Sequence, residues 1–414
     1  MVSKRKTASV ITLILLLTSL LAVAFNIQPV RGSGTIYIRA NGSIDPPTAN
    51  ITTTDNVTYT FIGNNHDSIV VERDNIVVDG AGYVTQGIGN GVGINVSYRN
   101  NIIIKLMKIK SFEHGIFLED CFNISISENN ITENSKRGIW AWYSSDIEIS
   151  ENVITNNTQD GIGLGSYSSN NTIFGNTMTD NGFALSLGGS LNNSIYENNI
   201  VENRHIGIGL YKSSNNRIYE NNIRDNGQTN IGLGNSFNNT IHGNNLTKAI
   251  NGLSIGYSNG NIVTCNQISG NLQGVKLTSS FNNSFYHNNF VDNTEQVNSL
   301  NSTSVWDNGY PSGGNYWSDY LRKYLNATEI DGSRIWDTPY VIDEDNIDHY
   351  PLIPEFTSLI ILPLLMLVTI LAALAQKKKS GKAHTSYSCV TLVWRMLYST
   401  ATSQDFLPHF GHLK

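Results

Sequence analysis

One phrase recurs along the middle of this chain at an almost constant interval, and few folds accommodate that. It reads Ile-x-x-Asn-x-Ile, then a turn, then Gly-Ile-x-Leu. The asparagine falls at Asn129, Asn152, Asn176, Asn198, Asn221, Asn244, Asn266 and Asn288, in steps of 22 to 24 residues. The second strand keeps pace at Ile116, Ile139, Ile162, Leu185, Ile208, Ile231, Leu253, Val275 and Val297. One repeat earlier, the segment from Ile104 to Ile109 has Met107 in the asparagine's place, and Gly93-Ile94 opens the strand before it. A fixed period of this length signals a solenoid, in which each repeat buries its apolar face only against its neighbours.

The repeats read as strands. Each apolar segment is three to six residues long, rich in Ile and Val, and bounded by Gly, Asn and Ser. None holds a 3.6-residue period long enough for a helix. Leucine-rich repeats have a similar length but a different Leu and Asn phrase. The expectation is an all-β, right-handed, single-stranded parallel β-helix over residues 76–302. Nine or ten rungs stacked at about 4.8 Å would give a length near ~45 Å. Within a rung, Ile218, Asn221 and Ile223 point inward, with the asparagine at a bend. Stacked asparagines can hydrogen-bond one another as a ladder, which makes this column structural.

The ends carry a different grammar. Met1 to Lys6 is basic, and an apolar run to Ala24 follows, so residues 1–24 read as a signal peptide. Residues 25–75 read as an N-terminal linker and cap, and residues 303–354, with Trp306, Trp317 and Trp336, as a C-terminal cap for exposed strand edges. Residues 356–375 are apolar and uncharged, long enough for one transmembrane helix. Lys377, Lys378, Lys379 and Lys382 follow, which places the tail 376–414 in the cytoplasm and the repeats outside. The net charge of −6 disfavours a nucleic-acid partner, because phosphate binding needs a basic face.

The phrases Asp79-Gly80-Ala81-Gly82, Glu197-Asn198-Asn199-Ile200 and Gly207-Ile208-Gly209-Leu210 resemble the NosD-like parallel β-helix repeat family. The likeness continues through Gly314 to Tyr320, Asp337 to Asp343 and Tyr350 to Leu352. This cap phrase is typical of archaeal, surface-anchored members, and Pro354-Glu355-Phe356 resembles an archaeal sorting signal. The resemblance implies the fold. It leaves open a carbohydrate-binding or structural role, a polysaccharide lyase or glycoside hydrolase, and a copper-site maturation factor.

Candidate chemistry lies in outward columns. The residues preceding the ladder asparagine include Glu197 and Glu220, one rung apart. Beside them run Tyr196 and Tyr219, with Tyr286 farther along, as a platform on which sugar rings could stack. Asp331, Asp337, Asp343 and Asp345 are the candidates for calcium, though Arg334 interrupts the alternation such a loop needs. Copper wants clustered Met, His or Cys, and these are scattered here. The hydrolase phrases Asn-Thr-Asp, Gly-His-Gly and Arg-Ile-Lys are absent. The reading that results is a non-enzymatic, surface-anchored protein with a carbohydrate or cell-surface polymer as partner.

Overall fold

A computed structural model describes residues 34–354. The signal peptide expected at 1–24, the membrane helix at 356–375 and the tail at 376–414 lie outside the described residues. Among the described residues no helix is long and apolar enough to cross a membrane.

The chain winds as a three-sided parallel β-helix. One coil shows the plan: His114–Glu119 lies in a first sheet, Phe122–Ser127 in a second and Asn130–Thr132 in a third, and Arg137–Trp142 returns to the first. The first and second sheets hold 13 strands each and the third holds 11. Side chains alternate in and out along each strand. The inward ones stack in register, as with Ile139 on Ile162 on Leu185 on Ile208, and these residues are fully buried.

The coils number about eleven, more than the repeat phrase suggested, because they start before it does. Thr35–Ile38 and Ser68–Val71 pair in parallel within the first sheet, so part of the expected cap at 25–75 is already solenoid. The phrase is missing there, but the alternation survives: Ile36, Ile38, Ile69 and Val71 are buried. The end itself is closed by two short antiparallel strands, Ile44–Asp45 and Ile51–Thr52, laid on the first and second sheets.

At the other end, aromatic rings close the core. Phe285 stacks on Trp306 at 4.3 Å, Phe290 on Trp317 at 4.3 Å, and Trp317 on Tyr340 at 4.2 Å. Ser302 and Asn315 continue the polar columns, and Asn288 Nδ2 donates to Asn315 Oδ1 at 2.9 Å.

The asparagine column is a ladder, as expected. Asn221 Nδ2 donates to Asn244 Oδ1 at 2.9 Å, to the Ile195 carbonyl at 2.9 Å and to the Tyr219 carbonyl at 3.0 Å. Met107 takes its predicted place, its backbone N–H donating to Asn129 Oδ1. One detail differs. The left-handed residue of this bend is the one before the asparagine, as in Glu128, Glu197, Glu220, Cys265 and His287. That explains the glycines at 175 and 243 in the same column, since glycine adopts positive φ without strain.

Three further ladders escaped the sequence reading: Asn134 to Asn226 on the next corner, Asn171 to Asn283 at the start of the second sheet, and a serine column before it, joined from Ser144 to Ser168 and from Ser190 to Ser302. Asparagine is so frequent in every turn that single columns do not stand out.

Candidate functional site

The predicted tyrosine platform forms as a stack of rings. Phe174, Tyr196 and Tyr219 align on successive strands of the second sheet, with centroids 5.1 and 4.8 Å apart and planes within 4° and 10° of parallel. Both faces of Tyr196 are therefore covered by its neighbours. A pyranose stacks on a free face, so this geometry favours ring-on-ring packing. Tyr286 does not join the stack, because His242 and Thr264 fill the two intervening coils. Glu197 and Glu220 sit exposed at their corner, with no ion pair among the described residues.

The acidic candidates of the cap are not gathered either. Asp337 accepts from the Thr328 N–H and both the Thr328 and Thr338 hydroxyls, which holds its carboxyl below the usual range. Asp343 accepts from Asn346 Nδ2 and the Asp345 N–H in a separate turn. Among the described residues no group of three His, Cys, Asp or Glu is placed to hold a metal.

A different surface draws together more chemistry. On the first sheet each strand presents three outward positions. The central one runs Phe117, Trp140, Gly163, Ser186, Gly209, Gly232, Ser254, Lys276. Five successive coils thus carry only Gly or Ser at the centre, and the surface sinks into a shallow groove. Two adjoining hollows of about 320 and 530 Å³ share Ser186, Leu187 and Tyr211. One flank carries Asp160, Phe183, Ile206 and Thr229. On the other flank Tyr211 stands 55% exposed between Gly188 and Gly234, with its ring faces free of other rings.

These glycines have no backbone reason to be glycines. None of Gly188, Gly209, Gly232 or Gly256 has positive φ, and a Cβ at any of them would meet nothing closer than 3.7 Å. Glycine weakens a strand, so its use here marks a place where something else approaches closely.

One end of the groove is walled. His114 and Trp140 have centroids 4.8 Å apart, Trp140 and Trp142 5.2 Å, and the Arg137 guanidinium lies 4.5 Å above Trp140. Arg137 Nε donates to Asp160 Oδ2 at 2.6 Å. Burial pushes the neighbouring His114 imidazole down to about 4, and Arg137 adds to that, so His114 is neutral at pH 7. The Trp142 indole N–H, and Asn251 Oδ1 beside Thr229, have no hydrogen-bond partner among the described residues. The signal for this surface was in the sequence as the x of Gly-Ile-x-Leu, but a glycine there reads like any repeat glycine.

Comparison with known proteins agrees with the winding. The right handed beta helix region family matches residues 32–153 and 91–245, and the periplasmic copper-binding protein (NosD) family matches residues 197–321. No curated protein matches in sequence. Among solved structures, the A-module of the Azotobacter vinelandii mannuronan C-5 epimerase AlgE6 aligns at 14% identity and a TM-score of 0.48, over 66% of this chain and 91% of that one. The AlgE4 A-module gives 15% and 0.48, over 65% and 91%. The Dettilon tailspike protein gives 13% and 0.43, over 61% and 59%. Likeness this distant carries no functional argument.

The NosD match raises copper, and the residues do not fit it. Cys265 and His287 occupy successive corner positions, but His287 Nε2 lies 2.9 Å from the Ser312 carbonyl, and no third donor completes a set among the described residues.

Proposed function

The chain belongs to the right-handed β-helix family, and from that premise we propose that it is an exported, non-enzymatic protein that binds an extended glycan in the groove of the first sheet. The observation that carries this reading is the floor of small residues. It leaves the Ser186 and Ser254 side chains beside apolar ones and the exposed ring of Tyr211. Sugars use both kinds of surface, apolar C–H faces on rings and hydroxyls on polar groups. The coil spacing of about 4.8 Å is close to the length of one pyranose in an extended chain, so successive sugars would meet equivalent surroundings.

A hydrolase needs two carboxyl groups flanking the bond. Asp160 is the carboxylate lining these hollows, and it is already paired with Arg137. Export rests on residues 1–24 and anchorage on 356–375.

Gly209→Trp is the direct test. It should fill the groove and abolish binding on a glycan array while the melting temperature stays near that of the native protein. Retained binding by a folded variant would remove the groove from consideration. Release of reducing ends from a bound polysaccharide would replace binding by catalysis.

A further inference from the structure

Six successive coils turn the corner into the second sheet through one equivalent point. Two places before the buried ladder that runs from Asn171 to Asn283, the chain reads Ser169, Leu191, Ser214, Phe237, Asn259 and Phe281. Polar and apolar residues thus alternate coil by coil. The polar members have a structural task. Ser169 Oγ, Ser214 Oγ and Asn259 Oδ1 accept from the backbone N–H of Leu191, Phe237 and Phe281 at 3.0, 2.9 and 2.8 Å. The apolar members have no such task, and each is 39% exposed.

The residue after each makes the turn. Asn170, Asn192, Asn215, Asn238, Gly260 and Asn282 all have positive φ, which glycine and asparagine adopt at least cost. The buried ladder residue comes next, and then the first outward residue of the strand. These outward residues run Thr172, Ser194, Arg217, Thr240, Ile262 and Ser284 in register. Neither turn nor ladder requires a hydroxyl there, since Arg217 and Ile262 fill the same place. Yet Leu191, Phe237 and Phe281 each precede a complete Asn-x-Ser/Thr phrase, at Asn192, Asn238 and Asn282. The two coils between them, with Ser214 and Asn259, have neither the phrase nor the apolar residue. The three asparagines are exposed, and their side-chain amides have no hydrogen-bond partner among the described residues. Nearer the N-terminal end, Phe122 and Asn123 repeat the pairing, but there Asn123 Nδ2 donates to Asn101 Oδ1 at 2.7 Å.

Resting on the export in the reading above, we propose that Asn192, Asn238 and Asn282 carry N-linked glycans, each with its innermost sugar lying on the apolar residue before it. The amide nitrogen attacks the anomeric carbon of a lipid-phosphate-linked oligosaccharide, held by a transferase. The N–C1 bond forms, the C1–O bond to phosphate breaks, the lipid phosphate leaves, and the amide gives up one proton to base. The C–H face of the first sugar then covers Leu191, Phe237 or Phe281, which accounts for apolar side chains at an exposed corner. The spacing agrees. The three sites lie two coils apart, about 10 Å, which leaves room for a pyranose on each. Asn170 completes the same phrase only one coil from Asn192, about 4.8 Å away, and Ser169 before it offers no apolar surface. Asn170 therefore stays bare.

Mass spectrometry of peptides from the full chain, purified from its own cells, tests this directly. Glycan mass is expected on the peptides that hold Asn192, Asn238 and Asn282, and none on Asn170. Bare asparagine at all three, in protein that added protease digests on wall-stripped intact cells, would overturn the proposal while leaving export intact. Bare asparagine in protein shielded from that protease would sink the export reading, and this inference with it. A glycan on Asn170 in place of Asn192 would remove the role given to the apolar neighbour. Ser194→Ala, Thr240→Ala and Ser284→Ala leave turn and ladder untouched, and each should empty its own asparagine and no other. Phe237→Ser should lower the melting temperature of the glycosylated protein and leave that of the chain made without glycans unchanged. An equal shift in both forms would show that Phe237 serves the coil rather than a sugar.

Discussion

Gly207 and Gly209 sit two residues apart on the strand Ile206–Tyr211, and the structure treats them in opposite ways. A Cβ at Gly207 would lie 2.6 Å from the Asn230 carbonyl and 2.6 Å from an Ile223 methyl carbon. Gly115, Gly138 and Gly252 meet the same obstacle on their own coils. A Cβ at Gly209 would meet nothing closer than 3.7 Å. At Gly207 the next coil leaves no space for a Cβ, although the coils on either side carry the buried Ala184 and Asn230 at the same position. In the second column, Gly209 and Gly232 are glycine although space is free, while a Cβ on Gly163 would lie 3.3 Å from Arg137, and strands rarely leave an outward position bare in that way. One residue type at one period thus records packing in one column and an open surface in the other.

The heaviest test of the packing side is the asparagine ladder, which obeys the same close spacing. Asn221→Leu removes donors to Ile195, Tyr219 and Asn244 and strands the amide of Asn198. Buried groups left unpaired cost about 1–3 kcal/mol each, so a loss of roughly 3–5 kcal/mol is expected in a denaturant titration. An unchanged midpoint would mean that coil stability does not depend on the ladder.

Gly207→Ala comes next, at about 1–3 kcal/mol, because a methyl group is forced against a carbonyl and a side chain. If it costs no more than Gly209→Ala, the distinction between the two columns fails.

The required kind of glycine recurs at the C-terminal cap, where a Cβ on Gly314 would fall on the Asp348 carboxyl. Burial pushes Asp348 up to about 7, opposed by donation from the Asn315 N–H, the Trp317 indole and the Tyr350 N–H. The folded protein therefore holds a proton that the unfolded chain has released. The Asp348 contribution to stability is greatest on the acid side and falls as pH rises from about 4 toward 7, by at most about 1.4 kcal/mol per pH unit, while His114, held neutral down to about 4, contributes a rise over much of the same window. Calorimetry across that window should show a stability difference between the native protein and Asp348→Asn that falls as pH rises. A difference that does not change with pH would show that the three donors outweigh burial.

The smallest effect sharpens the comparison most. Gly209→Ala should leave stability unchanged or raise it by about 0.5 kcal/mol, since a strand glycine gains from a side chain where one fits. A marked loss in thermal melting would show that the outward column is structural after all.

Much of the fold was legible because its cause is local. The inward alternation at Ile139, Ile162 and Leu185 follows from period-two geometry, and the asparagine column from its constant spacing. The start of the coils at Thr35 was not, because there the alternation persists without the phrase that made later coils recognisable. The site was read least well. Tyr196 and Tyr219 were placed correctly one above the other, but sequence could not show that parallel rings would cover each other's faces.

The sequence by itself determined that this chain winds, what it buries and where each coil bends, since those follow from which residues recur and how far apart. Only the tertiary structure decided which glycines are crowded and which are bare, and that a wall of Arg137, Trp140 and Trp142 closes one end of the bare ones. Those properties depend on the distance from one coil to the next, and the same letter is written in both columns.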